Sequence, residues 1–136
     1  ACSDGKFISI CPLEPQFYAD LMQRLGLTDN PVFASQWDQA QWPEGIKQLA
    51  ALFLTKTRDQ WCSELEGTDV CFGPVLNLTE AAQHPHNVAR NTFITIDGVT
   101  QPAPAPKFSV TVPKVGAMPK TGQHTEEILA SINISD

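Results

Sequence analysis

One carboxylate in the sequence stands where a rigid backbone would hold it. Glu14 lies between Pro12 and Pro15, at the junction of a predicted strand and a predicted helix. Side chains at such junctions are often functional, and a carboxylate held there can take a proton from a substrate or return one. Alternatively, Glu14 only complements the partial positive charge at the start of the following helix. The residues by themselves favour this second interpretation.

The histidines form no recognisable catalytic or metal-binding pattern. His84 and His86 flank Pro85, which favours a surface turn over a site, and His124 stands beside a predicted helix start. The sequence contains no G-x-S-x-G nucleophile motif and no glycine-rich phosphate loop. Neither nucleophilic catalysis nor nucleotide binding is therefore predicted.

The four cysteines are expected to be reduced, small and buried side chains. Cys2, Cys11, Cys62 and Cys71 form none of the C-x2-C pairs typical of zinc sites, so no metal is predicted. At this length, and without a secretion signal, reduced thiols are favoured over disulfides. The three tryptophans lie at or near predicted apolar helix faces and are expected in the core.

Composition narrows the range of partners. The 136 residues include 42% apolar ones, which predicts one globular domain or part of one. Lys and Arg number 9 against 15 Asp and Glu, and the resulting net charge of -6 disfavours nucleic-acid binding. The longest apolar run, residues 49–54, is far shorter than the roughly 20 residues that span a membrane. We expect no nucleic acid or membrane partner and a cytoplasmic location.

Two elements are needed to position Glu14. Residues 6–10 alternate and are rich in β-favouring side chains, so they predict a strand that ends at Pro12. Apolar residues at helical spacing then predict a helix that begins with Pro15 and is closed by Gly26. Glu14 thus occupies the connection between the two elements.

Two more helices and a second strand follow. One predicted helix follows Pro43 in the sequence. The next begins with a capping box of Thr57 and Gln60. Residues 70–76 are β-like, and Pro74 lacks a backbone donor. This segment therefore predicts an edge strand or a strand that ends early.

The last third of the chain is expected to be mostly extended. Thr79 is the predicted N-cap of a short helix, and Asp97-Gly98 favours a tight hairpin turn. Alternating Pro and Ala in residues 102–106 predict an extended arm, and residues 122–134 a terminal helix. The expected fold is α+β: helices around a small sheet, with a β-hairpin, an extended Pro-rich arm and a C-terminal helix.

Several segments of the chain resemble the α-methylacyl-CoA racemases of the family III CoA-transferase (CaiB/BaiF) superfamily. The motif Leu13-Glu14-Pro15 within residues 13–18 is similar to the family's, and further similar segments follow in order: residues 56–59, 69–76, 84–90, 97–101, 104–106 and 122–125. Together they cover essentially the whole chain. Cys11-Pro12 and Asn91 depart from the family pattern of small residues, which puts the identity of the substrate in doubt.

The resemblance implies a two-domain enzyme of which this chain covers the later part. Residues 1–83 would form the small α+β domain, and residues 84–136 would be the linker, hairpin, arm and helix that return to the large domain. The Rossmann-like large domain, which makes most contacts to CoA, would be missing. The resemblance implies interlocked dimers, and an uncovered arm and helix favour self-association. We expect a homo-oligomer, namely a dimer, and domain swapping is one way in which it would form.

The resemblance also gives Glu14 a role. In these racemases a His, an Asp and a Glu take the α-proton from a 2-methylacyl-CoA and return one to the opposite face, through a thioester enolate. No metal or redox cofactor takes part. The motif maps the Glu onto Glu14 and places Leu13 in the wall of the acyl pocket, while the His and the Asp lie upstream of Ala1. The chain by itself is expected to be inactive.

Two other functions remain open. Members of the superfamily also transfer CoA between carboxylic acids, although the segment around Glu14 favours the racemase branch. A third hypothesis is a self-associating module that catalyses nothing.

Overall fold

Two short antiparallel strands bring the two ends of the first part of the chain together. The computed structural model describes residues 1–132 and divides into two units, Ala1–Leu76 and a second that begins at Asn77. In the first unit β1 (Phe7–Ile10) pairs with β2 (Phe72–Val75). Pro74 lies opposite Ile8, and β2 has β1 as its only described neighbour. Both strands are therefore edges, where a residue without a backbone donor is tolerated.

Three helices cover this strand pair, and their starts follow the sequence signals. They are α1 (Pro15–Arg24), α2 (Trp42–Phe53) and α3 (Arg58–Leu65), and a 3₁₀ turn, Pro31–Phe33, lies between α1 and α2. Both bonds of the predicted capping box between Thr57 and Gln60 are made. Gly26 has a left-handed backbone with φ of 69° and follows the last turn of α1. The predicted helices of this unit are confirmed.

The core lies between these helices and the strands. Trp61 is buried, donates from its indole N–H to the Phe53 carbonyl at 3.0 Å, and packs edge-on against the Phe53 ring at 5.1 Å between centroids. The remaining buried apolar residues are Cys2, Leu21, Met22, Leu25, Phe33, Leu65 and Val70. Trp37 and Trp42 are exposed, so the expectation that all three tryptophans are core residues is wrong for these two.

A buried arginine ties the start of α3 to the strand pair. The Arg58 Nη1 donates to the Val75 carbonyl at 2.9 Å, and the Arg58 backbone N–H lies 3.4 Å from both carboxylate oxygens of Asp4. A guanidinium is rarely buried without a hydrogen-bond acceptor such as the Val75 carbonyl, because removing its charge from water is costly. These bonds hold the end of β2 and the turn before β1 against one helix terminus.

The second unit contains two short helices, a hairpin and a terminal helix. They are α4 (Leu78–Gln83), α5 (Pro85–Ala89), β3 (Phe93–Ile96), β4 (Val99–Pro102) and α6 (Thr125–Ser131). Asp97 and Gly98 both have positive φ, as the predicted two-residue turn requires. Asn91 also has a left-handed backbone, with φ of 48°, which asparagine tolerates better than most residues do.

Two details differ from the sequence-based expectation. The N-cap of α4 is Asn77, not Thr79: the Asn77 side chain accepts from the Glu80 N–H at 2.9 Å, and the Glu80 side chain completes a capping box. The terminal helix begins at Thr125, and the last two residues of the predicted helix, 133 and 134, lie outside the described part.

The α+β class is confirmed, with the hairpin, the irregular segment between β4 and α6, and the terminal helix as expected. The assignment of residues 1–83 and 84–136 to a small domain and a returning segment concerns a larger protein, and it stays a prediction. Within residues 1–132, no helix has the length and apolar character needed to cross a membrane.

The assigned core predicts that truncating two leucines lowers the free energy of unfolding by different amounts. Leu65 is 1% exposed and Leu54 is 53% exposed, although both lie at or near the end of a helix. We expect Leu65→Ala to lower the free energy of unfolding by about 2–5 kcal/mol, because it removes buried surface and leaves a cavity. Leu54→Ala should lower it by about 0.5 kcal/mol or less. Urea denaturation of both variants tests this, and equal losses would contradict the assigned core.

Candidate functional site

Glu14 occupies the N-cap position of α1. Its backbone is extended, with φ of -73° and ψ of 143°, Pro15 is the first helical residue, and the Glu14 carbonyl accepts from the Tyr18 N–H at 3.0 Å. The Glu14 side chain is exposed and makes no capping hydrogen bond. The helix dipole favours a negative charge here, yet the carboxylate is not used to satisfy the helix end. It remains able to bind another group.

A glutamine side chain holds the backbone just before Glu14. The Gln36 Nε2 donates to the Pro12 carbonyl at 2.9 Å and to the Leu13 carbonyl at 3.1 Å. The Gln36 carbonyl in turn accepts from the Trp42 indole N–H at 3.1 Å. The segment after the 3₁₀ turn and the start of α2 are thus fastened to the junction that carries Glu14. Proline and these two bonds together restrain the backbone that carries the carboxylate.

An apolar groove of about 320 Å³ adjoins the junction. Its wall is formed by β1, α1, the 3₁₀ turn and α2, and includes Pro12, Tyr18, Met22, Phe33, Trp42 and Ile46. A Cβ on Gly45 would lie 3.3 Å from the Phe33 ring, so glycine permits the close approach of α2 to the 3₁₀ turn. Pro12 lines the groove two residues before Glu14. Leu13 is 58% exposed and is not part of this wall.

Tyr18 connects α1 to the 3₁₀ turn on one wall of the groove. Its hydroxyl donates to the Phe33 carbonyl at 3.0 Å. Burial raises the pKa of this phenol, because the charged phenolate is poorly solvated there. The hydroxyl is therefore a donor over the whole neutral range.

The remaining candidate residues lie elsewhere in the chain. His84 is the N-cap of α5, His86 lies in the first turn of α5, and His124 precedes α6, all in the second unit. The His124 Nδ1 lies 3.2 Å from a Glu127 carboxylate oxygen. Within the described residues no three His, Cys, Asp or Glu side chains are grouped closely enough to hold a metal ion.

The cysteines divide into two classes. Cys2 is buried and Cys62 is half-buried, whereas Cys11 and Cys71 are exposed. All four are free thiols. The expectation of buried side chains is therefore wrong for Cys11 and Cys71, which directly follow β1 and directly precede β2.

Sequence reasoning found Glu14 but missed Gln36 and Tyr18. The Gln36 bonds reach back 24 residues and 23 residues along the chain. No local pattern signals such a contact. The bond from the Tyr18 hydroxyl to the Phe33 carbonyl likewise spans 15 residues, and no local pattern indicates it.

Comparison with known proteins gives consistent matches along the chain. The family model described as CoA-transferase family III matches residues 1–125. The chain is similar to the α-methylacyl-CoA racemase of Mus musculus, with 43% identity over 98% of the chain and 35% of that protein. It is 39% identical to the Homo sapiens α-methylacyl-CoA racemase over 98% of the chain and 35% of that protein. The chain spans about a third of the length of these relatives.

A solved structure shows the same fold. A CaiB/BaiF family protein from Brucella suis superposes with a TM-score of 0.67 at 24% identity, over 98% of this chain and 36% of that one.

The two bonds from Gln36 predict that substituting this residue lowers the protection of nearby backbone amides from hydrogen exchange. We expect Gln36→Leu to speed hydrogen exchange of the Tyr18 amide, the first-turn donor to Glu14, about fivefold or more, the effect of losing one hydrogen bond of about 1 kcal/mol. Gln39→Leu, at an exposed position of the same connection, is the matched control. Equal exchange in the two variants would show that Gln36 does not hold the junction.

Tyr18 is the only tyrosine in the sequence, so its ionisation can be followed by absorbance without interference from another tyrosine. Its absorbance change on ionisation should occur at a higher pH in the folded chain than in urea, where the pKa is about 10. Because the folded state holds this proton more tightly, the free energy of unfolding should fall as pH rises from about 10 through the folded-state pKa. Coincident titrations in water and urea would contradict burial of the hydroxyl.

Proposed function

The chain belongs to CoA-transferase family III, and we propose that it acts as the later part of an acyl-CoA racemase or epimerase. The reaction interconverts the (2R) and (2S) forms of a 2-methylacyl-CoA. Similarity to two α-methylacyl-CoA racemases along 98% of the chain supports the proposal. So does the position of Glu14, the one candidate carboxylate that the sequence singled out.

The observation that carries the proposal is the geometry of Glu14. A rigid strand-to-helix junction, fastened by Gln36, presents a carboxylate that makes no capping bond. Such a carboxylate can accept a hydrogen bond from an imidazole, fix its tautomer and raise its basicity. We propose that Glu14 serves a histidine in this way, and that this histidine belongs to a part of the enzyme upstream of Ala1.

The proposed chemistry is proton exchange next to a thioester. The base removes the α-proton, the electrons move into the thioester as an enolate, and a proton returns to the opposite face. A pair of groups with pKa values near neutrality is suited to both transfers. We place Leu13 in the wall that contacts the acyl chain, where an apolar surface disfavours charged forms and so adjusts these pKa values.

The proposal includes the remaining features of the enzyme. It takes an acyl-CoA thioester as substrate and uses no metal or redox cofactor. Glu14 meets its partner groups at a surface supplied by the rest of the protein, and the complete enzyme is a homodimer. The cytoplasmic location stays a prediction.

The test is deuterium uptake at the α-position of a 2-methylacyl-CoA in D2O. We expect no uptake with the chain alone, and uptake by a chimera in which the chain replaces the matching segment of the Mus musculus racemase. Glu14→Gln in the chimera should slow uptake by roughly 10²–10⁴-fold, because the histidine loses the carboxylate that fixes its tautomer and with it much of the contribution of acid–base catalysis. Glu44→Gln, a surface position in α2, is the matched control and should leave the rate unchanged.

Three results would overturn the proposal. Uptake catalysed by the chain alone would mean that a complete site lies within these residues. Full activity of the Glu14→Gln chimera would remove the assigned role. Transfer of CoA to an added carboxylic acid without deuterium uptake would favour CoA transfer, the reaction for which the family is named.

A further inference from the structure

Two exposed cysteines lie opposite each other at one end of the strand pair. In β1 and β2 Ile10 is paired with Phe72, and Cys11 and Cys71 are the residues just beyond this last pair. The Cys11 backbone N–H donates to the Cys71 carbonyl at 3.1 Å, so the two backbones stay adjacent there. Opposed residues of antiparallel strands have Cα atoms about 4.5–5.5 Å apart. Disulfides join Cα atoms that are about 4.4–6.8 Å apart.

The thiols are held only weakly in their present positions. The Cys71 Sγ contacts the Asp69 carbonyl at 3.8 Å, and a thiol is a weak donor. Rotation about χ1 therefore exchanges this contact for another at little cost. Cys71 has a left-handed backbone, with φ of 52°, at the point where the chain enters β2. The bond from the Cys11 N–H to the Cys71 carbonyl thus keeps the two backbones together, while the sulfur atoms remain adjustable.

Exposure separates this pair from the other two cysteines. Cys11 and Cys71 are both exposed to reagents from solvent. Burial raises the pKa of the Cys2 and Cys62 thiols, which lowers the share of reactive thiolate at neutral pH. An oxidant is therefore expected to reach the facing pair before the core pair.

We propose that Cys11 and Cys71 are a reversible oxidation site that closes to an intramolecular disulfide. With a peroxide as oxidant, one thiol takes up an oxygen atom to give a sulfenic acid, and one water leaves. The second sulfur then attacks the sulfenic sulfur, the S–S bond forms, the S–O bond breaks, and a second water leaves. The two thiols supply the two electrons that reduce the peroxide. A dithiol reductant reverses the reaction by thiol–disulfide exchange.

The disulfide would act on the junction that carries Glu14. Cys11 directly precedes Pro12, whose carbonyl already accepts from Gln36. Oxidation would fasten this segment to the start of β2 as well. Any consequence for proton transfer rests on the proposed function, whereas formation of the disulfide does not.

Peptide mass mapping tests the proposal without an activity assay. The reduced, folded chain is treated with an equimolar amount of hydrogen peroxide, the remaining thiols are alkylated, and the digest is analysed with and without dithiothreitol. We expect monomeric chain that has lost two hydrogen atoms, with Cys11 and Cys71 in one cross-linked peptide that dithiothreitol separates. Cys2 and Cys62 should be recovered as free thiols, alkylated after unfolding.

Cysteine-to-serine variants show which two cysteines form the cross-link. Cys11→Ser and Cys71→Ser should each abolish the intramolecular cross-link, and Cys62→Ser should leave it intact. A cross-link between other cysteines, disulfides that join two chains only, or separate oxidation of Cys11 and Cys71 to sulfinic acids would each overturn the proposal.

Discussion

The antiparallel pairing of β1 with β2 joins two four-residue strands from opposite ends of the first unit, and the other elements of that unit depend on it. A two-stranded sheet is only marginally stable in water by itself, and closing the long segment between the strands costs conformational entropy. The core offsets this cost, since Ile8, Ile10 and Phe72 pack against the buried cluster around Trp61. Strands and helices therefore stabilise one another.

The two ends of this ladder are connected to different parts of the first unit. At the end marked by Val75, Arg58 joins the strand to the start of α3 and to the turn that contains Asp4. At the other end the ladder stops at Cys11, and three residues later the chain reaches Glu14. A slip of one residue in register would turn every strand side chain to the opposite face. The same pairing therefore fixes both the burial of the core and the direction of the junction.

Features encoded within a few residues could be predicted from sequence, and features that depend on distant contacts could not. The capping box at Thr57 and the Asp97-Gly98 turn need only neighbouring residues, and both are present. The N-cap of α4 is an exception: Asn77 with Glu80 three residues later is a local capping-box pattern, and the prediction of Thr79 missed it. Gln36 and the Cys11–Cys71 pair depend on tertiary contacts, which no periodicity reveals.

The exposure of Glu14 and Leu13 bears directly on the proposed role of the site. In water a carboxylate is already hydrogen-bonded to solvent, so its attraction to an imidazole is weak, whereas the same pair in a low-dielectric enclosure interacts much more strongly. The apolar face that Leu13 presents, 58% exposed in this chain, is the kind of surface that such an enclosure requires. On the proposed function, the chain supplies a carboxylate on a restrained backbone and one apolar wall. When the rest of the enzyme packs on that wall, it excludes water from Glu14. The exclusion of water in turn strengthens the bond between Glu14 and the imidazole, so the catalytic effect of Glu14 depends on this contact.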